Sequence, residues 1–124
     1  MFDAQTIQMQ GATATDLYSP WFPRGGDYGL FTLEVAKMSS TNAALTMSVQ
    51  MLHKNSDDTG DGTAVGSAFT RLGSNYVTTP RVTSDITAGF KELVRFKFTL
   101  SYSGGSGTNW ATFRTMQPVW YDKV

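Results

Sequence analysis

Apolar and polar residues alternate one for one along much of this chain, the period of a β-strand with one buried face. In residues 28–37, Phe31, Leu33 and Val35 share one face, and Leu30, Thr32 and Glu34 the other. Residues 45–54 repeat the device, with Leu45, Met47, Val49 and Met51 set against Thr46, Ser48 and Gln50. Residues 92–102 are the clearest instance: Val94, Phe96, Phe98, Leu100 and Tyr102 oppose Arg95, Lys97, Thr99 and Ser101. Further strands are predicted over residues 5–10, 65–72, 76–82 and 110–121. Proline cannot donate to a β-ladder, so Pro80 predicts an edge or an interruption and Pro118 divides the last segment. In that segment Phe113, Thr115, Gln117 and Val119 alternate with Trp110, Thr112, Arg114, Met116 and Trp120. Large side chains on both faces predict either a central strand or an outer face that meets a partner.

The punctuation is that of an all-β domain. Polar, glycine-bearing runs separate the strands at 38–44, 55–63 and 103–109, and no sustained helical period occurs. The fold class expected is a single antiparallel β-sandwich of about seven or eight strands, jelly-roll-like. One domain covers residues 1–124, and segment 1–27 is a candidate assembly arm or loop.

Composition narrows the function. Charged residues make up 16% of the chain, against roughly 25% in ordinary soluble domains, so part of the surface is expected to be covered by other subunits. Ten basic residues balance ten acidic ones, which leaves no global field to recruit nucleic acid or an anionic membrane. The absence of cysteine excludes disulfides, thiolate metal sites and thiol nucleophiles. Met1-Phe2-Asp3-Ala4 lacks the basic-then-apolar pattern of a secretory signal, and no apolar run approaches the length that spans a bilayer.

Candidate chemistry is sparse. Asp57, Thr59 and Asp61, followed by Gly62, offer hard oxygens at alternate positions, a pattern suited to calcium. The bidentate acid that completes a helix-loop-helix calcium site is missing, because its position falls on Ala68. His53, the only histidine, has neither a second histidine nor a nucleophile motif beside it and is expected at a strand end. Asp27, Glu34, Asp85 and Glu92 are the carboxylates from which a glycosidase pair would have to come. Lys91, Arg95 and Lys97, with Arg81 and Arg114 nearby, predict a basic sheet face without interleaved aromatics, a poor fit to single-stranded nucleic acid. Trp110, Trp120, Tyr121 and Tyr76 are candidates for a flat sugar-binding platform. No catalytic cluster or cofactor motif emerges.

The sharper signal is Trp21-Phe22-Pro23-Arg24, where two large aromatics and an arginine sit on a predicted loop, the composition of an interface anchor. Two readings stand side by side: the rings meet a partner, or they cap one end of the sandwich core, and the two combine if one ring serves each purpose. With Phe2, Ile7 and Met9 of the amino-terminal strand, Trp21, Phe22 and Arg24 are the candidate partner-binding residues.

In its size, its Met1 start, its lack of cysteine, the run 28–37, the loop 53–63, the strand 92–101 and the aromatic tail 110–121, the chain resembles small all-β structural proteins of tailed bacteriophages, the capsid decoration (cement) type. The resemblance is one of style across most of the chain and carries no site residues over. It implies a virion protein, made in the host cytoplasm, that binds major capsid subunits and itself, often as a trimer. The function expected is therefore structural and non-enzymatic, with no cofactor and with neither nucleic acid nor membrane as partner. The alternatives are a carbohydrate-binding β-sandwich module and a phage tail or neck protein.

Overall fold

The computed structural model describes residues 5–10, 15–38, 45–72, 81–101 and 108–123. Among them the chain forms strands and no helix: β1 Gln5–Gln10, β2 Thr15–Tyr18, β3 Phe22–Pro23, β4 Tyr28–Met38, β5 Thr46–Lys54, β6 Thr63–Ala64, β7 Phe69–Leu72, β8 Arg81–Ile86, β9 Leu93–Ser101, β10 Thr108–Thr115 and β11 Val119–Tyr121. Every pairing is antiparallel. Three pairs of segments run end to end along one neighbour: β2 and β3 along β9, β6 and β7 along β5, and β10 and β11 along β4. Eleven segments less these three joins leave eight strand positions. They are ordered β1–(β10/β11)–β4–β8 in the first sheet and (β2/β3)–β9–β5–(β6/β7) in the second. Apart from the β5–β6 hairpin, the chain changes sheet at each step between positions, which is the winding of a jelly roll.

The alternation in the sequence is what places the core. Phe31, Leu33 and Val35 of β4, Leu45 with Met47, Val49 and Met51 of β5, and Val94, Phe96, Phe98 and Leu100 of β9 are all buried. Rings lock the sheets together: Phe98 meets Phe113 of β10 at 4.8 Å, and Phe31 meets Phe96 edge-on at 6.0 Å. β10 lies between β1 and β4, so the strand with large residues on both faces is a central one.

Each interruption has a local cause. Between β2 and β3, Pro20 supplies no amide proton. The buried Ser19 keeps the ladder closed, donating its own N–H to Phe96 O (3.0 Å) and accepting the Phe96 N–H on Oγ (2.9 Å). Between β6 and β7, Val65 turns inward and donates its N–H to Met51 O, which breaks the single strand expected over 65–72. Between β10 and β11, Met116–Pro118 resets the phase. Phe113 and Thr115 point inward before the break, and Trp120 points inward after it, against Phe31 (5.5 Å) and Phe90 (5.3 Å). The division expected at Pro118 is present, but the face expected for Trp120, opposite to that of Phe113, is corrected by the one-residue slip in register between Thr115↔Leu33 and Val119↔Leu30.

β8 is an edge strand, as Pro80 implies, although Pro80 and the rest of the predicted 76–80 run lie outside the described residues. Of the segment expected as an arm, residues 5–10, 15–18 and 22–23 are strands of the two sheets. One flank of the sandwich is closed by contact between β7 and β8. On the other flank β1 and β2 are the outermost strands, and no further strand pairs with either among the described residues.

Candidate functional site

The outward face of the second sheet carries the densest side-chain chemistry. Register sets Tyr18 of β2 opposite Lys97 of β9, and Arg95 of β9 opposite Leu52 of β5. The kink at Pro20 then brings Trp21 over the same face. The Arg95 guanidinium lies 4.4 Å from the ring centres of both Tyr18 and Trp21. Lys54 stands 4.7 Å from the Trp21 ring and Lys97 5.9 Å from that of Tyr18. Arg95 is only 12% exposed, and its Nη2 bonds Asp61 Oδ1 (3.1 Å) and Asp61 O (3.2 Å). Leu52 is 8% exposed although it points away from the core, a measure of how well this layer covers the sheet.

The aromatic-free basic face expected from the sequence is therefore corrected in two respects. Tyr18 and Trp21 interleave directly with Arg95, Lys97 and Lys54. Arg81 and Arg114 belong to the other sheet, where both bond Glu34, at 2.5 and 2.9 Å. The Arg81 hydrogen bond, reinforced by Arg114 and opposed by burial, holds Glu34 below the usual carboxylate value.

Next to the Trp21 layer the β5–β6 loop closes over a cleft of about 380 Å³ lined by His53, Lys54, Asp58, Thr59, Asp61, Gly62, Thr63 and Lys91. The loop is tied down along its length. Asp58 Oδ2 accepts the Asn55 N–H (2.9 Å), Ser56 donates to Glu92, Lys54 Nζ donates to Gly60 O (3.3 Å), and Asp61 pairs with Arg95. Gly62 has φ +82°, and a Cβ there would stand 2.7 Å from Trp21 Cη2, so the left-handed turn and the indole both require glycine. His53 Nδ1 accepts the Lys91 N–H at 3.1 Å, which puts the proton of the neutral ring on Nε2. Burial first, and the Lys91 charge second, hold this imidazole below its ordinary value.

Of the calcium candidates Asp57, Thr59 and Asp61, Thr59 and Asp61 line the cleft and Asp57 does not. Asp61 is turned to Arg95, and among the described residues no three histidine or acidic side chains gather where they could hold a metal. Asp27, Glu34, Asp85 and Glu92 are dispersed into structural bonds with Lys123 N, Arg81 and Arg114, Tyr121 and Ser56 respectively. Nor does Trp120 join the sugar platform expected from Trp110, Trp120, Tyr121 and Tyr76. Trp120 is turned into the core, and Tyr121 lies exposed against Tyr28 (5.5 Å). Tyr76 lies outside the described residues.

Of the candidate partner-binding residues, Phe22 packs inward on Phe96 (5.6 Å), and Trp21 is half-buried on the outer face against Arg95 and Lys54. Arg24 bonds Phe90 O through Nη1 (2.8 Å) and Glu92 O through its N–H (3.0 Å), and so fastens the β8–β9 connector. Phe2 lies outside the described residues, and Ile7 and Met9 lie on β1 opposite Ala111 and Asn109. Sequence reasoning passed over Tyr18 and the His53–Lys91 bond. The available signal for Tyr18 was its place beside Leu17, two residues before Pro20.

The class defined by these observations is an eight-position jelly-roll sandwich with a polar loop cleft beside an aromatic–cation layer. Compared with protein families, with curated proteins and with solved structures, the chain finds no match in any of the three.

Proposed function

We propose that this chain is a structural protein of a virion, of the capsid decoration type, which stabilises a shell by lending surface to major capsid subunits and to further copies of itself. The observation that carries the proposal is the open flank. Among the described residues two edge strands, β1 and β2, lie outermost in their sheets, and on β2 the apolar Leu17 and Tyr18 are 39% and 41% exposed. Edge strands left unpaired accept a strand from a neighbour, and apolar side chains beside them add area at about 25 cal/mol per Å². Repetition over many copies turns modest contacts into avidity. The jelly roll is an architecture of capsid proteins, although also of lectins and cupins, so fold alone assigns nothing. The dispersal of the carboxylates into structural bonds favours a role by contact over one in catalysis.

The test is co-sedimentation of the purified protein with shells of a major capsid protein from the same genome, together with its mass in solution by light scattering. Wild-type protein is expected to pellet with shells and to form an oligomer, a trimer being the form proposed. Leu17→Lys, at the open edge of β2 and opposite Phe98, is expected to abolish both in protein that still shows a cooperative melting transition. A monomer that ignores shells overturns the proposal.

A further inference from the structure

We infer that the cleft between the β5–β6 loop and the β8–β9 connector is a binding site for a small neutral saccharide. It lies on residues that the assembly role does not use, and it stands or falls separately from that role.

The lining decides the ligand class. Its volume of about 380 Å³ falls within the ~300–1,000 Å³ of small-molecule sites. No large apolar side chain lines it, which disfavours a lipid or a hydrocarbon ring. Lys54 and Lys91 are offset by Asp58 and Asp61, so neither an anion nor a bare cation finds a field of one sign. What remains is a dense mixture of donors and acceptors. The ammonium groups of Lys54 and Lys91 donate, and so does His53 Nε2–H, whose tautomer is fixed by the Lys91 N–H on Nδ1. The carboxylates accept: Asp58 spends Oδ2 on Asn55 and Asp61 spends Oδ1 on Arg95, and a carboxylate has about four lone-pair sites in all. The Thr59 and Thr63 hydroxyls do both.

A sugar hydroxyl also donates and accepts at once, and vicinal hydroxyls fit a carboxylate beside an ammonium. Trp21 stands outside the lining, its ring taken up by the Lys54 and Arg95 cations, so the cleft recognises its ligand through polar groups. The ties from Ser56 to Glu92, Lys54 to Gly60 and Asp61 to Arg95 order the loop before any ligand arrives, which lowers the entropic cost of binding.

The experiment is ligand-observed saturation-transfer NMR on the purified protein, with the His53 ring protons followed in parallel. The probes are D-glucose, D-galactose, D-mannose, N-acetyl-D-glucosamine and their disaccharides, with free lysine as a zwitterion and sulfate as an anion. At least one neutral sugar is expected to bind with Kd on the order of 1 mM and to shift the imidazole resonances. Thr59→Val and Lys91→Ala, each checked for an unchanged melting temperature, are expected to weaken it about tenfold or more. The inference is overturned if no neutral sugar binds, if lysine or sulfate binds more tightly than every sugar, or if binding survives both substitutions.

Discussion

Asp61 Oδ1 lies 3.1 Å from Arg95 Nη2, and this pair fastens the β5–β6 loop to the middle of β9. The two ends of the pair are unequal: the Asp61 side chain is 84% exposed, whereas Arg95 is roofed by Tyr18 and Trp21. Exposed ion pairs contribute little, so Asp61→Asn is expected to cost below about 1 kcal/mol. Arg95→Ala also loses two aromatic contacts and is expected to cost about 1–3 kcal/mol. Urea unfolding of both variants measures the difference, and equal losses would show that the rings contribute nothing.

Gly62→Ala is expected to destabilise by about 1–3 kcal/mol, because alanine must take φ +82° and its methyl meets Trp21 and His53 O. Trp21 fluorescence should shift with it. An unchanged melting curve would contradict the packing of the indole on this turn.

Phe98→Ala is expected to cost about 3–5 kcal/mol, since the ring is fully buried and bridges the sheets through Phe113. Denaturant titration is the check; a loss below about 1 kcal/mol would place the core elsewhere.

Acid should loosen the β8–β9 connector through His53. The folded imidazole titrates below its ordinary 6.5, so the unfolded chain takes up the proton first. The stability this ring contributes is full above 6.5 and is lost as pH falls through the folded value. Protonated Nδ1 can no longer accept the Lys91 N–H. Glu34 is likewise depressed, and its contribution is full above its ordinary 4.5 and lost on further acidification. His53→Gln keeps an acceptor for Lys91 and is expected to flatten the stability profile just below pH 6.5. A slope that persists in this variant would assign the effect to other groups.

The sandwich was legible because β4, β5 and β9 each bury one uninterrupted face, so Phe31, Val49 and Phe98 could be placed from spacing alone. Trp120 could not, because the strand resets its phase around Pro118 and a period-two count cannot see a slip. The cleft was less legible still. Asp57, Thr59 and Asp61 have the spacing of oxygen ligands, but the partner of Asp61 is Arg95, 34 positions away. His53 and Lys91 are 38 positions apart and meet only because β5 pairs with β9 and the connector folds back over the strand end. Pairings of that kind depend on sheet register, which local pattern does not encode.

The chain holds a single imidazole, and it lines the cleft. Its two carbon-bound protons therefore give a spectroscopic signature free of overlap from any sister residue. Occupancy, acidity and connector movement can each be followed at one address in unlabelled material, and a silent ring during titration would be as informative as a moving one.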